Sequence, residues 1–281
     1  MFDTTKQLDQ QQSAIARALY WNPALNFLRS RTGFLLSHLF PRNACWVRIR
    51  GGVLRGLEIY AELRHGEKSY WLGTFELGLQ SAIQQLAKEL PNTGCIYDVG
   101  AHVGFFSMMF ARCFERAHIF AFEPHPFNQN RLTLNIRRNG LTPRVTPLVQ
   151  AVSDESQRTH FHIGKSTWSG SLLHDHRSDY LDYYEVWTTT LDKLIFEDGY
   201  PAPELIKIDV EGAETRVLGG AINVLRRCKP TLIIELHHRH AGEWVVCLLR
   251  QLGYRIWDLN RCVELVGAFP SSEHVLARHN S

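Results

Sequence analysis

IYDVGAHVGFFS (Ile96–Ser107), followed by FAFEPHPFNQN (Phe120–Asn130), is the stretch whose reading decides the fold. Each half opens on an apolar run suited to a buried strand, breaks at glycine or proline, and continues into an amphipathic segment. The spacing predicts strands at Ile96–Val99 and His118–Phe122 and helices at Phe105–Cys113 and Pro126–Asn139, the second with proline at its first helical position. In a doubly wound α/β sheet, ligands bind beyond the carboxyl ends of the strands, where a strand turns into its helix. Gly100 and Gly104 fall on that turn, where glycine tolerates unusual backbone angles and lets the main chain approach a ligand. Asp98 and Glu123 end the two strands.

The same rhythm continues outward. Further strands are expected near Val145–Val152, Leu205–Asp209, Thr231–Glu235, Tyr254–Leu259 and Cys262–Val266, and helices near Thr215–Arg226 and Glu243–Leu252. Such alternation predicts a mostly parallel, seven-stranded sheet. Only Asn260 and Arg261 join the last two strands, too short a link for a parallel crossover, so the sheet should end in an antiparallel hairpin. Upstream, CWVRIRGGVLRGLEIYAEL reads as two or three short strands and Thr74–Leu90 as a helix before Pro91. The expected organisation is an N-terminal helical extension (1–44), a β element with a linking helix (45–91), and the main domain (92–281). Within the last, a polar, aromatic-rich insertion at 153–203 is expected to be ordered and functional.

The 281 residues carry 31 basic and 28 acidic side chains, a net charge of +3, so no strong field implies a nucleic-acid partner. Residues 10–57 nonetheless hold seven arginines (Arg17, Arg29, Arg31, Arg42, Arg48, Arg50, Arg55) and no carboxylate. That region is expected to cap the domain, with peripheral membrane or protein contact as the alternative. The six cysteines form no C-x-x-C pair and are read as buried free thiols. The polar start MFDTTKQLDQQQ resembles no signal peptide, and no apolar run approaches a membrane span, so a cytoplasmic protein is expected.

Glu123, closing the second strand, is placed to accept hydrogen bonds from both ribose hydroxyls of an adenosine. Dinucleotide sites share that feature, and a nicotinamide-dependent oxidoreductase is therefore one alternative. Position 102 is histidine, however, so the G-x-G-x-x-G pattern is absent. S-adenosylmethionine (SAM) is the favoured ligand, with Asp98 near its amino group.

Several ordered motifs then resemble one family. They are WLGTFE (71–76), YDVGAHVGFFS (97–107), FEPHPFNQNRLTLNIRRNG (122–140), AVSD (151–154), TTLDKL (189–194), LIKIDVEGAETRVLGG (205–220) and KPTLIIELHH (229–238). Together they resemble the FkbM family of SAM-dependent methyltransferases, from about Trp71 to His238. The resemblance implies a Rossmann-like class I methyltransferase acting on a hydroxyl oxygen, often of a sugar, glycan or glycolipid. It also implies SAM held by Asp98, Gly100, His102, Gly104 and Glu123, with adenine near Ala151 to Ser153. His102 stands where family members often carry asparagine.

Methyl transfer to an alcohol needs alignment and a base. Asp209 and Glu211 after one strand, and Glu235, His237 and His238 after its neighbour, are the candidates. Asp209 is read as the central carboxylate, with Glu235 and either histidine as base or acceptor ligands, and Glu214 as an ordinary first-turn residue. Asp209, Glu235 and His237 also suit a divalent ion, but Leu236 stands where metal-using sites of this fold tend to place a second carboxylate, and no metal is predicted. Trp168, Tyr184 and Trp187 in the insertion, with His238, are the candidate acceptor-binding residues, because sugar rings lie well on aromatic faces. A non-catalytic SAM-binding scaffold in a biosynthetic complex is the remaining alternative.

Overall fold

Beginning at Cys45, period-two patterning forms an antiparallel hairpin of β1 (Cys45–Arg48) and β2 (Glu58–Ala61) with Cys45 opposite Ala61. The computed structural model describes residues 43–63, 67–163, 170–171, 182–259, 261, 263–267 and 274–280. The expected helices before residue 43, Trp168 and Cys262 lie outside the described residues. After the hairpin comes a short helix, α1 (Lys68–Leu72), stopped by Gly73 in the left-handed region (φ 72°), and then α2 (Leu77–Glu89). The single helix expected over 74–90 thus begins at Leu77, because Glu76 itself adopts a left-handed conformation (φ 45°).

The alternating units follow: β3 (Cys95–Val99), α3 (Phe105–Cys113), β4 (His118–Phe122), α4 (Pro126–Arg138) and β5 (Val145–Leu148). Next come β6 (Ala151–Val152), β7 (Arg158–Ile163), β8 (Gly170–Ser171), β9 (Asp182–Thr189) and α5 (Leu191–Phe196). The chain ends with β10 (Leu205–Ile208), α6 (Glu214–Gly219), α7 (Ile222–Arg227), β11 (Thr231–Glu235), α8 (Arg239–Gln251), β12 (Tyr254–Asp258), β13 (Val263–Glu264) and β14 (His274–His279).

The main sheet runs β13-β12-β14-β11-β10-β3-β4-β5, parallel from β11 through β5. The expected terminal hairpin is present, with Asp258 opposite Val263. Seven strands become eight. His274–His279, whose weak alternation predicts no strand, slots between β11 and β12 and is antiparallel to both. Two other boundaries move. The strand expected over 145–152 divides, since β6 leaves the main sheet to pair with β9. The helix expected over 215–226 breaks at Gly219-Gly220, where a Cβ on Gly220 would lie 2.1 Å from the Ser153 carbonyl oxygen.

Among the described residues the insertion, joined by β6 just before it, contributes a second, four-stranded sheet, β6-β9-β7-β8, and then α5. Of the described cysteines all are free, with Cys95 buried as expected and Cys247 exposed.

Successive residues of the buried central strands face opposite helical layers. Ile96, Leu205 and Ile233 join the core formed with α2, α3 and the β1–β2 hairpin, whereas Tyr97, Val99, Ile206, Ile208, Leu232 and Ile234 join the core under α6, α7 and α8. The same period places Asp98, Lys207, Asp209 and Glu235 on the first face, toward its carboxyl end. Residues 45–91 share that core with β3–α3–β4.

Candidate active site

At the carboxyl ends of β3, β4, β10 and β11 lies a cavity of about 300 Å³. One wall is built from the turn after β3. Gly100 and Ala101 donate their N–H groups to the Phe122 carbonyl (3.0 and 2.9 Å), which pins this turn to the end of β4. The Glu123 carboxylate then accepts from His102 N–H and His125 N–H, each at 2.8 Å. Burial, with Asp209 and Asp98 nearby, pushes the Glu123 carboxyl up to about 7 even though both N–H bonds oppose the rise. Gly100, Ala101, His102, Glu123 and Ala151 all line the cavity. His102 has positive φ (50°), and its Nδ1 lies 3.3 Å from the Tyr70 hydroxyl.

Three expected cofactor residues are placed differently. Asp98 is fully buried beneath the cavity floor, accepting from the Ser107 hydroxyl and lying 3.9 Å from Lys207 Nζ, and does not line the cavity. Burial, opposed by Lys207, raises its carboxyl. Gly104 is the N-cap of α3 in the left-handed region (φ 86°), which favours glycine, and it does not line the cavity. Ser153 turns toward Asp154, leaving Gln150, Ala151 and Val152 as the wall at that point. Gly100 lines the cavity, yet its lack of a side chain is required by Asp209, whose carbonyl oxygen would sit 1.7 Å from a Cβ.

The expected catalytic residues converge at the opposite end. Asp209 Oδ2 accepts from the buried Lys207 ammonium at 3.0 Å. Although burial opposes it, Lys207 holds the Asp209 carboxyl below its ordinary value. His237 Nε2 lies 3.8 Å from Asp209, 3.5 Å from Glu211 and 3.7 Å from Glu235. Burial and the neighbouring Asp209, Glu235 and Glu214 raise Glu211 to about 7 against the pull of His237. His237 rises to about 9: burial works against the shift, but Glu214, Glu211 and Asp209 outweigh it.

Several participants were not anticipated. Lys207 and Glu76 line the cavity. His274, opening β14 opposite Glu235, lies 3.3 Å from both Glu76 and Glu235. Glu214 is no ordinary first-turn residue, since it is fully buried and its Oε1 lies 2.6 Å from His237 Nδ1. For Lys207 the available signal was a lysine inside an otherwise apolar strand, LIKI. His274 sits in a strand that the pattern did not reveal. As to metal, among the described residues the candidate ligand atoms group as Asp209–Glu211–His237 and Glu76–Glu235–His274, each set within 4.8 Å, which differs from the trio Asp209, Glu235 and His237 that the sequence suits to a divalent ion.

The aromatic candidates separate as well. Cross-strand pairs share a face, and Phe161, a cavity residue, is opposite Tyr184. Tyr184 therefore faces the site, 5.8 Å from the His125 ring. Trp187 is opposite Arg158 on the outer face and 56% exposed, so it does not join Tyr184. His238 is exposed at the N-cap of α8, outside the cluster.

Residues 98–256 match the Methyltransferase FkbM domain. The chain belongs to the FkbM methyltransferase family. As an FkbM protein it is a methyltransferase, and membership implies SAM as the donor. It is 31% identical to the hexuronic acid methyltransferase AglP of Haloferax volcanii over 67% of this chain and 76% of that one. It is 30% identical to the 2-O-methyltransferase NoeI of Sinorhizobium fredii over 62% and 74% of the two chains. A third relative is the AMB antimetabolite synthetase AmbE of Pseudomonas aeruginosa, 27% identical over 59% of this chain but only 10% of that one.

The nicotinamide alternative falls with this assignment. Glu76, Glu123, Asp209, Glu211 and Glu235 line the cavity, with Lys207 already engaged by Asp209. Among the described residues no helix is long and apolar enough to cross a membrane.

Proposed function

We propose that this FkbM protein transfers the methyl group of SAM to a hydroxyl of a sugar, glycan or glycolipid. The observation that carries the reading is the placement of two differently specialised acidic groups on one cavity: Glu123 at the cofactor end, and Asp209, Glu211 and Glu235 around His237 at the other. The names of AglP, a hexuronic acid methyltransferase, and NoeI, a 2-O-methyltransferase, support a sugar acceptor and an oxygen nucleophile.

Bound SAM supplies a methyl group activated by a sulfonium. The chain supplies the rest. Glu123, preset by two backbone N–H groups, accepts the ribose hydroxyls, while Gly100–His102 and Gln150–Val152 wall the nucleoside. Phe105, Phe106 and Tyr70 keep the pocket apolar away from its acidic rim. Lys207 fixes Asp209 at the mouth, where Asp209 and Glu235 orient the acceptor hydroxyl and the neutral form of His237, the minor form below its raised value of about 9, takes the proton on Nε2.

The test is transfer of isotope-labelled methyl from SAM to hydroxyl-bearing glycans and glycolipids, read by mass spectrometry of the product. Label should appear on an oxygen of the carbohydrate. Asp209→Asn should keep S-adenosylhomocysteine binding and lose turnover. Label on nitrogen or carbon would overturn the reading, as would an Asp209→Asn variant that loses binding and keeps turnover.

A further inference from the structure

We propose that Glu214 is a positioning residue for the proposed methyl transfer, holding the Nδ1–H of His237 so that Nε2 is the atom turned toward the acceptor. The inference rests on the reading of the site given above and adds a residue to it.

The geometry is specific. Glu214 opens α6 and has no solvent exposure. Its Oε1 accepts from Gly212 N–H at 2.9 Å and lies 2.6 Å from His237 Nδ1. The turn that wraps this carboxylate uses Glu211 and Gly212 in the left-handed region, at φ 51° and 100°. As a carboxylate, Glu214 has no hydrogen to donate and accepts from both Gly212 N–H and the imidazole, so Nδ1 carries the hydrogen in neutral His237. Nε2 is thereby the lone-pair nitrogen, and it faces Asp209, Glu211 and Glu235 at 3.5 to 3.8 Å.

The groups facing the ring are thus Asp209 and Glu211 from the turn after β10, Glu214 from α6 and Glu235 from β11, with Lys207 behind Asp209. All four carboxylates stabilise the imidazolium formed when Nε2 accepts a proton. In the step so served, the acceptor O–H bond breaks with its proton passing to Nε2, and the oxygen pair forms the new C–O bond. The C–S electron pair leaves with sulfur, giving S-adenosylhomocysteine. Glu214 touches none of the reacting atoms; it acts through the ring.

The test is the tautomer of His237, read from imidazole nitrogen shifts in histidine-labelled full-length protein, with His237→Asn used for assignment. In the wild type, observed above about pH 9 where His237 is neutral, the ring should be protonated on Nδ1. Glu214→Gln retains an acceptor oxygen and should preserve that form, whereas Glu214→Leu should lose it. Methyl transfer should fall about a hundredfold in Glu214→Leu and recover by about tenfold in Glu214→Gln, with S-adenosylhomocysteine affinity within about twofold of wild type in both. Nδ1 protonation surviving in Glu214→Leu would overturn the inference, as would a wild type protonated on Nε2. Should Glu214→Leu not fold, the wild-type tautomer and the pH profile of Glu214→Gln decide: a profile identical to wild type overturns the role. Failure of the wild type to methylate any carbohydrate strikes the functional reading instead and leaves the tautomer result to stand or fall by itself.

Discussion

Arg131 of α4 sets its guanidinium against the Glu67 carboxylate, Nη1 3.0 Å from Oε1, with both side chains sealed from solvent. A second nitrogen donates to the Tyr60 carbonyl at 2.9 Å. One buried residue therefore clamps β2 and the start of α1 onto the main domain, which brings Tyr70, Phe75 and Glu76 to the cavity wall. A buried pair is costly to break from one side, because the surviving charge has no partner. Glu67→Leu should destabilise the protein by about 3–5 kcal/mol in urea unfolding. The Glu67→Leu, Arg131→Met double variant should recover most of that loss. Equal destabilisation of single and double variants would refute the clamp.

Gly100 and Gly140 make a controlled pair. Both have positive φ (81° and 66°), but a Cβ on Gly100 would strike the Asp209 carbonyl whereas one on Gly140 meets nothing within 4 Å. Gly140→Ala should cost about 1 kcal/mol, a backbone penalty alone. Gly100→Ala should either prevent folding or cost several times more, as thermal unfolding would register. Similar melting temperatures would return Gly100 to a role in ligand approach.

The raised Glu123 carboxyl, at about 7, gives cofactor binding a pH signature. The sign follows from the proposed role of Glu123: ribose hydroxyls would donate to its carboxylate, so protonation would compete with the ligand. Affinity for S-adenosylhomocysteine should be full above this value and fall by roughly tenfold from about pH 8 to about pH 6. Glu123→Gln should bind weakly and largely lose that slope in calorimetric titrations. A wild-type affinity that rises on acidification would contradict the assignment.

Tyr184 and Trp187 should part company in kinetics. With Tyr184 on the cavity side and Trp187 on the outer face, Tyr184→Ala should raise the acceptor KM by about tenfold, on the order of 1.4 kcal/mol of lost binding. Trp187→Ala should leave it within about twofold. Steady-state measurements showing the reverse would move acceptor binding to the outer face.

Much of this was legible locally. β3, α3, β4 and α4 are short-range units whose strand period, glycines and Pro126 all agree, and they appear within a residue or so of expectation. Asp209, Glu211, Glu235 and His237 meet because neighbouring parallel strands end together. What stayed hidden depends on long-range pairing or on burial. The strand HVLARH has weak alternation, and its place between β11 and β12 is fixed only by those partners. Asp98 looked like a ligand group because a strand-end carboxylate usually is one; Lys207, brought opposite by register, instead shares its charge under the floor. Glu214 read as an ordinary helix start, and only the fold reveals that His237 reaches it. Tyr184 and Trp187 seemed equivalent until the second sheet, itself unforeseen, put them on opposite faces.

Equilibrium binding by calorimetry with wild type and Glu123→Ala tests the central claim most directly. SAM and S-adenosylhomocysteine should bind the wild type in the micromolar range, NAD should not bind, and Glu123→Ala should lose both nucleosides while remaining folded. NAD binding in place of SAM, or undiminished SAM affinity in Glu123→Ala, would contradict the account.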